Sequence, residues 1–169
     1  KYLAFCDADD IWTKNKLDVQ LNFMKKNNLK FLHSNYYIID LNNKKIGKYN
    51  INTKISYNDL IQSCDIGLST VIVDKNLITK KNKFCKLRTK EDYFLWLNII
   101  QDINFIHGIN KYLVSWRYTK GSLSDSLLQK LSDAYKLYNY YLKFNVIKSI
   151  FYVLRLSFRA LIKKIRIYN

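Results

Sequence analysis

Tyr2-Leu3-Ala4-Phe5-Cys6-Asp7-Ala8-Asp9-Asp10-Ile11-Trp12 is an apolar run that ends in three carboxylates and resumes with two large apolar residues. Such a run reads as a strand, and a strand that ends in acids delivers them to the C-terminal edge of a sheet, where open α/β sheets bind their ligands. Asp7 and Asp9 are two apart and share a face if the segment is extended. They then offer oxygen ligands to one hard divalent cation, which can in turn hold a diphosphate. Asp clusters also close turns and cap helices, so the surrounding sequence has to decide.

Outward from the acids, Leu17, Leu21 and Met24 follow a helical spacing, Phe31–Asp40 reads as a strand, and Asn42-Asn43-Lys44-Lys45 turns into Ile46–Tyr49 as a hairpin. Ser56 is placed to cap a short helix through Ile61. Ser69–Asp74 is β-branched and strand-like, Asp92–Gln101 is helical, and Ile103–His107 and Tyr112–Tyr118 alternate as strands. Helices alternating with strands predict an α/β layered domain. His33 and His107 lie in apolar strand-like runs and are expected to be core or edge residues.

Read together, several short motifs fall in one order: the acidic tetrad, Ile11-Trp12 with Lys16-Leu17 and Gln20, His33-Ser34 with Tyr36, and Ile66-Gly67 with Ser69-Thr70-Val71. Glu91-Asp92-Tyr93 with Leu95-Trp96-Leu97 and Trp116-Arg117 before Ser122 and Ser124 complete the series. In this order and spacing the chain, from Lys1 to about Ser124, resembles the later half of family 2 glycosyltransferases of the GT-A fold, the bacterial enzymes that build surface polysaccharides. The resemblance implies an α/β GT-A domain (nucleotide-diphospho-sugar transferase, Rossmann-like) without its N-terminal half at 1–124, followed by C-terminal helices at 125–169. It implies an inverting transfer from a nucleotide-diphosphate sugar to an acceptor hydroxyl, with Mn2+ or Mg2+ on the diphosphate. Carried over by position, Asp9 is the main metal ligand, Asp7 sits beside metal and ribose, and Asp92 is the general base. Glu91 and Trp96 support the base and the acceptor site, and Arg117 is a candidate phosphate partner. Two departures stand out. Lys14 lies near the place of a usual proline, and Thr119 replaces a histidine often found after the Trp-Arg pair, so Arg117 or Lys120 is expected to supply positive charge. The first strand and the base-gripping loop of the family have no counterpart, and the chain reads as a fragment or a truncated product.

The residue types suit that chemistry. A divalent cation stabilises charge building on a departing diphosphate, and a carboxylate within hydrogen-bonding reach can take the proton of a poorly nucleophilic hydroxyl. Thr89-Lys90-Glu91-Asp92 also has a plainer reading, with Thr89 as an N-cap and the acids complementing a helix dipole. Both roles fit one helix start.

At 169 residues the chain suits one domain with an appendage. Three cysteines without a C-x-x-C spacing indicate neither a disulfide framework nor a zinc site, which suits a reducing cytoplasm. The net charge of +16 draws anions, among them sugar nucleotides, acidic lipids and nucleic acids. Its distribution separates these. No acid follows Asp133, and from Val146 to Ile167 Lys148, Arg155, Arg159, Lys163 and Arg166 fall on one helical face, with Ile147, Ile150, Phe151, Leu154, Phe158, Leu161, Ile162 and Ile165 over much of the rest. A basic amphipathic helix predicts attachment to an anionic membrane surface, and the resemblance implies that this is the inner face of a bacterial plasma membrane, close to a glycan or lipid-linked acceptor. Arg155 and Arg159 interrupt the run too early for a span. The competing expectation for this helix is packing against the rest of the domain with its basic face solvated. For the whole chain the competing expectations are an inactive remnant of such an enzyme, or a nucleic-acid-binding module, which the greasy side of the basic helix and the absence of a nucleic-acid motif disfavour.

Overall fold

The computed structural model describes residues 1–119, 121 and 126–168, with side chains through residue 163. Lys120, Ser122 and Ser124 of the sequence reading lie outside the described residues. Among the described residues, seven strands form one mixed sheet: β1 (Tyr2–Ala4), β2 (Ile11–Trp12), β3 (Phe31–Ile39), β4 (Lys45–Tyr49), β5 (Lys54–Ser56), β6 (Ile72–Asp74) and β7 (Phe105–Arg117). The order is β1-β6-β3-β7-β2, with β4 paired to β3 and β5 to β7. The central pair β3 and β7 is parallel, whereas β1, β2, β4, β5 and β6 all pair antiparallel with their neighbours.

Alternation along the strands sorts their side chains onto two faces. Phe31, Val73 and Ile106 join the main core, while their chain neighbours Leu32 and Ile72, with Ile109 and Leu113, face Met24 of α1 (Lys16–Lys26). The main core is built on α3 (Glu91–Ile103), whose Tyr93, Leu95, Trp96, Leu97, Ile99 and Ile100 are all buried. A helix apolar on every side needs cover on every side. The sheet covers one side, and α4 (Leu127–Lys136), a π-helical segment (Leu137–Tyr141) and α5 (Val146–Tyr168) contribute Ala134, Leu137, Tyr138 and Leu156 to the same core. The helices after residue 125 are thus continuous with the domain's packing. Tyr93 and Tyr138 tie this layer to the end of α2 (Tyr57–Leu60), their hydroxyls donating to the carbonyls of Leu60 and Ile61 at 2.6 and 2.8 Å.

Several elements differ from their sequence-based limits. Ser69-Thr70 belongs to a 3-10 turn (Leu68–Thr70) before β6. Ile103–His107 and Tyr112–Tyr118 are largely one long strand, whose register against β3 shifts around Asn35 and so resembles two short strands in sequence. The predicted capped helix does form, with Ser56 and Asp59 in a reciprocal capping box. His33 is fully buried and held neutral, burial pushing its pKa down to about 3.

Candidate active site

Past β1 the chain does not stay extended. The Asp10 amide donates to the Asp7 carbonyl at 3.1 Å, closing a turn, and Asp10 Oδ1 accepts the Arg117 amide at 2.9 Å. The Asp7 amide donates to Ser69 Oγ at 2.9 Å, and Trp12 Nε1 donates to the Ser69 carbonyl at 2.9 Å, so the 3-10 turn before β6 pins the acidic loop from both ends. A turn brings residues i and i+3 together instead of i and i+2. Asp7 and Asp10 therefore line a pocket of about 400 Å³, whereas Asp9 is exposed and outside its lining.

The same pocket is lined by Glu91 and Asp92 at the start of α3 and floored by Tyr36, Ile38, Val114 and Trp116 from β3 and β7. Two acidic motifs over eighty residues apart in sequence meet here. Burial raises all four acids. Asp7 is pushed up further by Asp9, Asp10 by Asp7 and Asp9, and Glu91 by Asp7, while the Ser69 hydroxyl draws Asp7 and Asp10 partly back. Asp92 is pushed up to about 6 by burial and then by Glu91, against the Tyr93 amide, which donates to its Oδ1 at 2.6 Å. Glu91 Oε2 is buried and without a hydrogen-bond partner.

The helix start is not capped by Thr89. Its amide and its hydroxyl both donate to Asp133 Oδ2 on α4 at 3.0 Å, and Lys90 occupies the cap position without a side-chain hydrogen bond. Asp92 does satisfy one first-turn amide, so the dipole-complementing reading holds for it alongside its place in the pocket.

The side chains of Arg117 and Trp96 are both engaged within the protein. Arg117 Nε donates to the Asp9 carbonyl at 2.9 Å, Nη1 to the Asp40 carbonyl at 2.7 Å and Nη2 to Asn43 Oδ1 at 2.7 Å, strapping the acidic loop to the β3–β4 turn. Trp96 does not reach an acceptor. It has no exposed surface and lies in the core with its ring edge-to-face with Phe5 and Phe31, at 5.8 and 5.0 Å between centroids. Trp116, near the end of β7, is the tryptophan that lines the pocket.

The positive charge at the pocket comes from Lys90, Lys130 and Lys163, which sequence reasoning did not single out for this role. Lys163 is the least expected. The helical wheel places it on the basic, membrane-directed face of the C-terminal helix, yet its Nζ sits 3.5 Å from Asp65 and 4.0 Å from the centre of the Tyr49 ring. Burial works against its charge, but Tyr36, Tyr49 and Asp65 around it raise it above the ordinary lysine value. No local sequence signal announces this, because it depends on where α5 docks.

Among the described residues no group of three or more His, Cys, Asp or Glu side chains is arranged to hold a metal unaided. A hard cation that keeps phosphate and water oxygens needs only one or two carboxylates. Asp7 and Asp10 fit that demand: burial raises both, Asp9 raises Asp7 further and Asp7 and Asp9 raise Asp10 further, and the unpartnered Glu91 oxygen adds to the unmet negative charge.

No family profile matches the chain. It is 38% identical over 157 residues to the UDP-Glc:alpha-D-GlcNAc-diphosphoundecaprenol beta-1,3-glucosyltransferase WfgD of Escherichia coli, covering 91% of this chain and 60% of that protein. Over most of its length the chain is similar to bacterial glycosyltransferases. It is also 30% identical over 166 residues to an uncharacterized glycosyltransferase of Haemophilus influenzae and 28% over 127 residues to the putative teichuronic acid biosynthesis glycosyltransferase TuaG of Bacillus subtilis, covering 96% and 75% of this chain. The crystal structure of S. aureus TarS 1-349 in complex with UDP-GlcNAc shares the fold, with a TM-score of 0.58 at 16% identity over 80% of this chain and 40% of that one. The chain spans between half and two thirds of the curated relatives just named: 60, 64 and 50% of their lengths.

Proposed function

We propose that this chain carries the catalytic part of an inverting transferase that moves a sugar from a uridine-diphosphate sugar to a hydroxyl of a lipid-linked glycan in surface-polysaccharide assembly. The observation that carries the reading is the meeting of Asp92 with Asp7 and Asp10 in one pocket, flanked by Lys90 and Lys163. Relatives that use UDP-Glc and a diphosphoundecaprenol acceptor, and a shared fold with a UDP-GlcNAc complex, support the donor and acceptor classes.

In this reading Asp92 accepts the proton of the acceptor hydroxyl as the new glycosidic bond forms. Its raised pKa makes it a stronger base than an ordinary aspartate while leaving it largely ionised at neutral pH. Glu91 keeps Asp92 basic by repulsion. Lys90 and Lys163 draw the anionic donor into a pocket otherwise rich in acids. Asp7 and Asp10 would hold Mn2+ or Mg2+, with Asp9 within electrostatic reach, and the ion would stabilise charge on the departing diphosphate. The apolar residues exposed along α5 support a peripheral position on the anionic inner face of the plasma membrane. None of the described helices is long and apolar enough to cross a membrane.

The test is transfer of labelled glucose from UDP-Glc to lipid-linked acceptor by the whole protein, with and without Mn2+. Asp92→Asn is expected to lower the rate by about 10²–10⁴. Asp7→Asn and Asp10→Asn are each expected to weaken Mn2+ binding, measured calorimetrically, more than Asp9→Asn does. Transfer that survives Asp92→Asn at the wild-type rate would refute the assignment.

A further inference from the structure

α5 shows the rest of the molecule one face and solvent another. Ser149, Tyr152, Val153 and Leu156 pack inward. Ile147, Ile150, Phe151, Leu154, Phe158 and Leu161 repeat at three- and four-residue intervals and stand exposed, Leu154 and Phe158 by 65 and 63%. Between this helix, β4 and the loops at 50–52 and 63–65 runs a groove of about 930 Å³. Phe151, Leu154 and Phe158 form its apolar side, while Lys48, Arg155 and Arg159 bring cations to it.

The charge in this groove is not balanced by its own acids. Asp65 is paired with Lys163, and Asp59 lies near enough to Arg159 to be lowered by it, with hydrogen bonds from Ser56 as the larger cause. A site with three cations beside exposed rings and leucines complements a molecule with an anionic head and an aliphatic tail. Lys163 lines both the groove and the carboxylate pocket, so the two adjoin at this side chain.

We propose that this groove is the binding site for the phosphoryl-lipid portion of the acceptor, with Arg155, Arg159 and Lys48 on the phosphoryl head and Phe151, Leu154 and Phe158 along the first part of the tail. The assignment rests on the transferase reading above. It differs from general membrane attachment in that it holds one lipid molecule in register with the catalytic base.

Dodecyl phosphate below its critical micelle concentration is a soluble probe of this chemistry, and its binding to the whole protein is measured by calorimetry. It is expected to bind, and the affinity is expected to fall about tenfold in the Arg155→Gln/Arg159→Gln double variant and by a similar factor in Phe158→Ser. Both sites are on the surface, and thermal melts check that each variant is folded. Asp92→Asn should bind the probe as the wild type does. Inorganic phosphate binding as tightly as dodecyl phosphate would reduce the site to a free-anion site and overturn the proposal. So would binding that neither variant changes, and so would an absence of probe binding in a protein that still attaches to anionic vesicles. Normal transfer by Asp92→Asn with the expected probe binding would instead refute the catalytic reading and leave the groove standing.

Discussion

At the scale of single residues, Asp92, the proposed base, carries a cost in stability. Its carboxyl is raised from 3.8 to about 6, so the folded chain holds that proton more tightly than the unfolded chain does. The resulting penalty is absent below pH 3.8, grows between there and about 6, and is complete above. In the metal-free protein Asp92→Asn is therefore expected to raise the melting temperature at pH 8, by the equivalent of about 1–3 kcal/mol, and to have little effect at pH 3.5. A melt series across pH checks both the size and the direction. Trp96 presents the opposite case. Fully buried against Phe5 and Phe31, it is a packing residue, and Trp96→Ala is expected to cost about 3–5 kcal/mol in a denaturant titration. Trp96→Phe, which keeps most of the packing, should leave the KM for acceptor unchanged.

At the scale of elements, α3 depends on α4 for its starting point. Asp133 on α4 accepts the amides of Arg88 and Thr89 and the Thr89 hydroxyl. Burial pushes its pKa up, but hydrogen bonds from Gln129, Thr89 and Arg88 outweigh burial and hold it below the usual carboxylate value. Its stabilisation is thus present above the ordinary aspartate pKa and lost as pH falls through the lowered one. Asp133→Ala strips the acceptor from two amides and is expected to cost about 2–3 kcal/mol by thermal melt. Because the loop it holds leads straight into Glu91 and Asp92, the same variant is expected to lower kcat although it touches no substrate. Ser69 plays the matching part for the acidic loop, receiving the Asp7 amide on its hydroxyl and the Trp12 indole on its carbonyl.

At the scale of the whole molecule, excess positive charge and exposed apolar surface coincide on α5. Ile147 and Leu161 are 82 and 63% exposed and lie outside the groove, so they report on attachment without touching the proposed acceptor site. Flotation with phosphatidylglycerol vesicles is expected to show binding that weakens with added salt, as screening shortens the reach of the cations. Ile147→Ser/Leu161→Ser is expected to reduce it severalfold while leaving dodecyl phosphate binding intact. The cationic face is less simple than the helical wheel implies. Lys163 is withdrawn from it to pair with Asp65 at the edge of the carboxylate pocket, whereas Arg155 and Arg159 remain at the surface.

The amino-acid sequence by itself carried the layered α/β plan, the strand that ends in acids, the capping box at Ser56, the helix behind Glu91-Asp92 and the basic, greasy C-terminus. Each of these is written in local periodicity or in a short polar signature, and local signals survive in one dimension. It also named Asp7, Glu91 and Asp92 as acids of one site. What tertiary structure decided was which neighbours share that site. The turn closed by the Asp10 amide exchanges Asp9 for Asp10 at the pocket, because a turn pairs i with i+3 where a strand pairs i with i+2. Arg117 donates to three acceptors from two distant loops, Trp96 packs against Phe5 and Phe31 from far earlier in the chain, and Lys163 is drawn in by Asp65. Each outcome depends on contacts between residues far apart in the chain, and side-chain spacing along a single element cannot encode them.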